Sequence, residues 1–191
     1  MNADKRGSEE AIEELILVLG AFRDLAPAVD AAGEAILGAL LAGNKVLTCG
    51  NGGSATDASH LAEELMGRYR GDRRSLPAVS LVADSSLITC IANDYGYESV
   101  FSRQIEGLAK AGDVLVGFST SGNSPNVLKA LGAAKAAGAV SIALLGKGGG
   151  LMAGRADYEV IVPSENTARV QEVHTLILHS WLELVEEAFL A

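Results

Sequence analysis

The chain has no CxxC or similar paired-ligand spacing, and its two cysteines, Cys49 and Cys90, each stand alone in apolar surroundings. Buried thiols in a reducing compartment fit that pattern; a disulfide framework or a zinc knuckle does not. Basic charge is also short. Fifteen Lys+Arg against 24 Asp+Glu leave a formal net charge of -9, which argues against a surface that seeks nucleic-acid phosphates. Apolar runs are too short or too interrupted to cross a bilayer. The polar start, Met1 to Glu10, lacks the apolar core of a signal peptide, so the expected location is the cytoplasm. Aromatic residues make up only 5%, whereas 49% of the chain is hydrophobic and Gly numbers 22. That balance suits an α/β protein with tight strand–helix turns. No linker, repeat or low-complexity tract divides residues 1–191, which suffice for one domain with a full core.

Apolar periodicity organises what is present. Ile12, Leu15, Ile16, Leu19 and Phe22 predict an amphipathic helix over Glu9–Asp24. Leu25-Ala26-Pro27 interrupts it, and a second helix runs to about Leu41, closed by Gly43. Strands are expected at Lys45–Cys49, Ala78–Val82, Asp113–Phe118, Ser141–Leu145 and Tyr158–Ile161. Helices are expected at Ser54–Arg68, Ser85–Asn93, Ser99–Ala109, Pro125–Ala137 and Thr167–Leu190, with Arg70 to Ser75 as a surface loop. Such alternation gives a parallel sheet with helices on both faces. Residues 1–43 form a helical extension, packed on the core or on a neighbouring subunit. The stripe Val170, Val173, Leu176, Ile177, Trp181, Leu184 and Val185 on the last helix also needs cover, and a homo-oligomer is one way to supply it.

Two glycine- and serine-rich turns carry the chemistry. Ser119-Thr120-Ser121-Gly122-Asn123-Ser124 follows the buried strand Val114–Phe118 and precedes a helix opened by Ser124 and Pro125. Hydroxyls, backbone N–H groups and the positive end of a helix dipole together make a phosphate cradle. An ordinary capped turn needs one hydroxyl, and the absence of lysine favours a sugar phosphate over a nucleotide. The other turn, Cys49-Gly50-Asn51-Gly52-Gly53-Ser54, matches the dinucleotide pattern through Gly50, Gly52 and Ala55. The acidic residue that pattern needs about twenty positions later is missing: Arg70 to Arg74 occupy the region, and Asp84 comes too late. Gly52 and Gly53 instead let backbone and Ser54 approach a small ligand at the carboxyl edge of the sheet.

His60 and Glu64 are four residues apart and leave one face of the following helix, while Glu63 points about 100° away. Spacing alone leaves them open as metal ligands, an acid/base pair or a solvated surface pair. On the last helix, Gln171 and His179 lie two turns apart along roughly one face, about 12 Å of rise. His174 falls off that face and reads as structural or exposed. His179 sits within an apolar stripe, where a lone histidine is more often a satisfied core residue than a catalyst, and its position alone leaves both readings open.

Taken together, Cys49 to Ser54, His60-Leu-Ala-Glu-Glu64, Asn93-Asp94-Tyr-Gly96, Ser119 to Ser124 and Arg169-Val-Gln-Glu-Val-His174 resemble the sedoheptulose 7-phosphate isomerases. These are the phosphoheptose isomerases of the sugar isomerase (SIS) superfamily, and the resemblance covers nearly the whole chain. It implies a single SIS domain: a flavodoxin-like three-layer αβα sandwich on a five-stranded parallel sheet, with N-terminal helices and a long C-terminal helix. The implied reaction is aldose–ketose isomerisation of D-sedoheptulose 7-phosphate to D-glycero-D-manno-heptose 7-phosphate, the first step towards activated heptoses. Glu64 matches the base that moves a proton between C1 and C2, and His179 its acid/base partner. His60, Glu64, Gln171 and His179 match residues that hold a zinc ion in some members, one per subunit. Asn51, Gly52, Gly53, Ser54, Glu64, Asn93, Asp94, Ser119, Thr120, Ser121, Ser124 and Gln171 match positions that bind the phosphorylated seven-carbon sugar. Family members are homotetramers with active sites between subunits, and neither nucleic acid nor membrane is implied. Ala168 departs from relatives that carry an acidic residue there. A noncatalytic SIS protein of the replication-initiator-associating type is the alternative; it lacks the residues matching Glu64 and His179, both of which this chain has.

Overall fold

The computed structural model describes residues 7–190; of the polar start, residues 1–6 lie outside them. Two N-terminal helices, α1 (Ser8–Phe22) and α2 (Ala26–Leu41), are joined by a 3-10 turn at Arg23–Leu25. Pro27 does not break the path, because it falls in the first turn of α2, where no N–H is needed. The alternating part follows: β1 (Val46–Cys49), α3 (Gly53–Met66), β2 (Ala78–Ser80), α4 (Ser85–Tyr95), α5 (Ser102–Leu108), β3 (Val114–Ser119), α6 (Pro125–Ala136), β4 (Val140–Leu145), β5 (Tyr158–Ile161) and α7 (Thr167–Leu190). The helix expected over Ser99–Ala109 is a 3-10 turn, Tyr97–Ser99, followed by α5. A further 3-10 stretch at Lys147–Met152 fills the turn after β4.

The five strands form one parallel sheet in the order β2-β1-β3-β4-β5. Burial on both faces explains why β3 reads as an unbroken apolar run, for all six of its residues are buried. Val114, Val116 and Phe118 join α1, α2, α3 and α7 in one apolar cluster. Leu115 faces the other way, with Leu47, Cys49 and the buried residues of α4, α5 and α6. Burial pushes the Cys49 thiol up to about 12; Cys90, expected to be buried as well, is exposed on α4. Three layers result, with α7 lying across the first face and Trp181 Nε1 donating to the Val29 carbonyl at 2.8 Å.

The strand order reverses direction between β1 and β3, which pair through Cys49 and Gly117. Connections leave opposite faces of the sheet on the two sides of that point, opening a crevice at the carboxyl ends. Both glycine–serine turns empty into it. The apolar stripe of α7 is largely covered within the chain, although Leu176 stays 45% exposed; on α1, Ile12, Ile16 and Leu17 face outward at 58%, 61% and 74%. The stretch from Arg70 to Ser75 is not simply a surface loop, because the Arg73 side chain is 1% exposed.

Candidate active site

The crevice is built by two helix N-termini. At α3, Gly52 adopts φ 57, and neither it nor Ser124 at the start of α6 accepts a hydrogen bond there through a side chain. Ser124 thus takes the expected N-cap position without acting as a cap. Its hydroxyl pairs with that of Ser119 at 2.9 Å, which leaves the positive end of α6 facing the crevice. The Ser121 hydroxyl accepts from the Asn123 N–H at 3.2 Å. Gly122 turns the loop at φ 64, and a Cβ there would stand 1.9 Å from the Gly149 carbonyl oxygen. Thr120 is half-buried, and its carbonyl lies against Gly146 at the end of β4.

Asn51 ties the two turns together. Its side-chain amide donates to Asn126 Oδ1 at 2.9 Å and its oxygen accepts from Asn126 Nδ2 at 2.8 Å. The Tyr97 hydroxyl donates to the same Asn51 oxygen at 2.9 Å. Asn126 and Tyr97 went unnoticed in the sequence, since neither lies in a glycine–serine turn. Ser54 is buried at the start of α3, with Gly52 and Gly53 exposed beside it. Asn93 and Asp94 are exposed near the end of α4, where Asn93 Nδ2 donates to Asp94 Oδ1 at 2.8 Å. Among the described residues their side chains pair with each other and with Cys90, not with Asn51 or the serine loop. Asp84 caps α4 by accepting from the Leu87 N–H, a structural duty that leaves the dinucleotide reading without its acid.

Helices α3 and α7 run side by side in the same direction, and their facing residues meet in rungs. Gln171 lies against Gly53, where a Cβ would stand 2.1 Å from its Nε2. One turn on, the Thr175 hydroxyl donates to Asp57 Oδ1 at 3.3 Å. Another turn on, the His60 and His179 rings meet edge to face at 5.1 Å. Glu64 Oε1 lies 3.5 Å from His60 Nε2, with side-chain exposures of 19% and 31%. Tyr69 stacks on His179, centroids 5.8 Å apart. His60, Glu64 and His179 are therefore brought together around His60, while Gln171 stays beside Gly53 at the start of α3, about 12 Å of helix rise along α7 from His179.

Glu63 comes nearer than its helical position implies. One oxygen from each glutamate and a His60 ring nitrogen lie within 4.8 Å of one another. Glu63 is exposed, however, and borders a groove with Ser59, Ala62 and Met66 over β2. Asp57 was missed in the sequence although it shares a face with His60 and Glu64. It is 8% exposed, and its Oδ2 has no partner among the described residues. Burial raises its pKa, against the Thr175 hydrogen bond and the nearby His60. His174 is fully buried, its Nε2 3.2 Å from the Leu145 carbonyl oxygen. Burial lowers its pKa to about 4. It is a structural histidine, as its position off the His179 face suggested.

A family model described as the SIS domain matches residues 12–146. The chain is 56% identical over 144 residues to the phosphoheptose isomerase of Fusobacterium nucleatum, covering 75% of this chain and 74% of the relative. Identity to the phosphoheptose isomerase of Pelobacter propionicus is 47% over 184 residues, 96% of this chain and 95% of that one, so the similarity extends into α7. A solved phosphoheptose isomerase from Neisseria gonorrhoeae superposes with a TM-score of 0.89 at 41% identity, over 94% of this chain and 97% of that structure.

Proposed function

The chain belongs to the SIS-domain family and within it to the phosphoheptose isomerases, and from that membership we propose how its residues interconvert sedoheptulose 7-phosphate and D-glycero-D-manno-heptose 7-phosphate. The 7-phosphate is held by Ser54, Ser119, Ser121 and Ser124 with the N-termini of α3 and α6; Asn51, Gly52, Gly53, Thr120, Asn93, Asp94 and Gln171 line the sugar. Glu64 takes the proton from C1 of the ketose and returns it to C2, so the C2 carbonyl becomes a hydroxyl and C1 an aldehyde. His179 moves the accompanying proton between O1 and O2, and the enediol between the two proton transfers needs no net oxidant. The observation that carries this reading is the meeting of Glu64, His60 and His179, half-buried between α3 and α7.

The donor set also fits zinc. Two imidazoles and a carboxylate, from His60, His179 and Glu64, are nitrogen and oxygen ligands of the kind zinc accepts and stand together around His60, whereas Gln171, the fourth residue of the set, lies two turns of α7 away beside Gly53 in the single chain. When bound, zinc supplies Lewis-acid polarisation of the substrate carbonyl.

Residues 1–191 act in this reading as one SIS unit in a homotetramer. Two observations support sites shared between subunits. Glu64 lies about 16 Å of helix rise from the cradle end of α3, farther than one seven-carbon sugar phosphate reaches. The apolar residues Ile12, Ile16 and Leu17 of α1 are exposed in the single chain. No helix among the described residues is long and apolar enough to cross a membrane, and the free thiols Cys49 and Cys90 suit a cytoplasmic setting.

Incubation with sedoheptulose 7-phosphate in deuterated water tests the assignment. Wild type forms aldose and incorporates solvent deuterium at carbon. Glu64→Gln keeps the shape but cannot accept a carbon-bound proton, and it should lose both signals by at least about 10²-fold. Near-normal deuterium incorporation by that variant assigns the proton transfer to another base.

A further inference from the structure

We propose that Arg73, tethered by Glu186, is a positioning residue: it clamps the last turn of α3 and so fixes Glu64 relative to His179. The inference rests on the reading of Glu64 and His179 given above. The last four carbonyls of a helix have no partner within it, and Glu64 is only two residues from the end of α3. Here each is satisfied from the segment that follows. Gly67 N–H donates to the Glu63 carbonyl at 2.7 Å and Leu76 N–H to that of Leu65 at 3.0 Å. The Ser75 hydroxyl donates to Met66 at 2.7 Å. Arg73 spans the middle of the turn, Nη2 donating to the Glu64 carbonyl at 2.7 Å and Nη1 to the Leu65 carbonyl at 3.0 Å. A guanidinium also complements the negative end of the helix.

This arginine is buried, and so is its counter-ion. Arg73 Nε lies 3.9 Å from Glu186 Oε1, with the two side chains 1% and 5% exposed. Glu186 belongs to α7 and accepts the backbone N–H groups of Arg70 and Gly71, each at 3.0 Å. Stability alone is a poor reason for a buried ion pair, which apolar side chains of similar volume often match or exceed. What the pair does is join the two helices that carry the reacting residues. The same segment lays Tyr69 on the His179 ring. One short stretch thus holds Glu64 from below and His179 from the side, while the phosphate cradle sits at the opposite end of α3.

The prediction is a defect in turnover without a matching defect in substrate binding. Arg73→Lys keeps the charge but loses the two-carbonyl fork. It is expected to fold and to lose about 10–100-fold in kcat, the scale of a misplacement near 1 Å, with KM within about twofold of wild type. Arg73→Ala is expected to regain kcat on addition of sub-denaturing guanidinium. A purely structural role would lower the melting temperature and leave kcat intact well below it. Glu186→Gln, which retains an acceptor for Arg70 and Gly71, is the second variant should Arg73→Lys not fold; it is expected to lose roughly tenfold in kcat. Wild-type kcat in a folded Arg73→Lys or Glu186→Gln overturns the clamp, as does a KM that rises in step with the loss of kcat. Glu64→Gln run alongside separates the two readings. If it stays active, the base assignment fails and takes the clamp's purpose with it. If it is dead while Arg73→Lys is fully active, the clamp alone fails.

Discussion

Acid should weaken this protein through His174 by an amount the structure specifies. The imidazole is fully buried, holds the Leu145 carbonyl through Nε2 and packs edge-on to Phe118 at 6.0 Å between centroids. Its pKa falls from 6.5 to about 4, chiefly by burial. In that window the unfolded chain takes up a proton that the native chain refuses. The contribution to stability is therefore complete above pH 6.5 and is lost as the pH falls towards 4, at up to about 1.4 kcal/mol per pH unit and about 3 kcal/mol in all. His174→Gln removes the titration while its amide can still donate to Leu145. At pH 7 the variant gives up the ring packing, about 1 kcal/mol, and should be the less stable protein. Near pH 4 the order should reverse, because only wild type carries the protonation penalty. Urea unfolding at fixed protein concentration, so that any subunit association contributes equally, from pH 4 to 7.5, measures both curves. Parallel curves with no crossing would refute the argument and mean that His174 is protonated in the native protein.

Removing both Ser121 and Ser124 hydroxyls by alanine substitution takes two donors from a phosphate, each worth roughly 1.5–3 kcal/mol when charge-assisted. KM should rise by at least about 10²-fold with kcat less affected; wild-type binding of sugar phosphate by this double variant would remove the cradle assignment. Gly53→Ala places a Cβ 2.1 Å from Gln171 Nε2. The flexible carboxamide gives way, so stability should change by less than about 1 kcal/mol, while steady-state kinetics show a KM raised about tenfold. An unchanged KM would mean that Gln171 does not touch the substrate.

Much of the fold was legible because buried parallel strands write themselves as apolar runs. Tyr158–Ile161 and Thr167–Leu190 appear in the structure with the bounds their patterns predict, and Ser141–Leu145 lacks only Val140. The 3-10 stretch at Lys147–Met152 was not legible, since its three glycines at positive φ carry no side-chain pattern. Periodicity assigned one apolar face to α7, but this helix lies between α3, α2 and the sheet. His174 is consequently buried, the structural of the two readings its position off the His179 face allowed. Candidate site residues on glycine–serine turns and at helical spacing could be found from residue type. Asp57 and Arg73 could not, because charge reads as solvent until partners at positions 175 and 186 are known to lie beside them. The convergence of His60 with His179 rests likewise on packing between elements more than a hundred residues apart.

The rungs between α3 and α7 also govern how this gene can change in length. Gly53–Gln171, Asp57–Thr175 and His60–His179 step by four and three residues along α3 and by four and four along α7, so their alignment depends on the length of both helices. One residue inserted between Gln171 and His179 would swing everything beyond it through about 100°, taking His179 off its rung while Gln171 stayed in place. Inserted after Glu186, in the last turn, the same residue would leave all three rungs aligned. Length variants among natural or engineered copies should accordingly gather outside positions 171–186, and a functional chain with an odd insertion inside that span would have to carry a compensating one in α3.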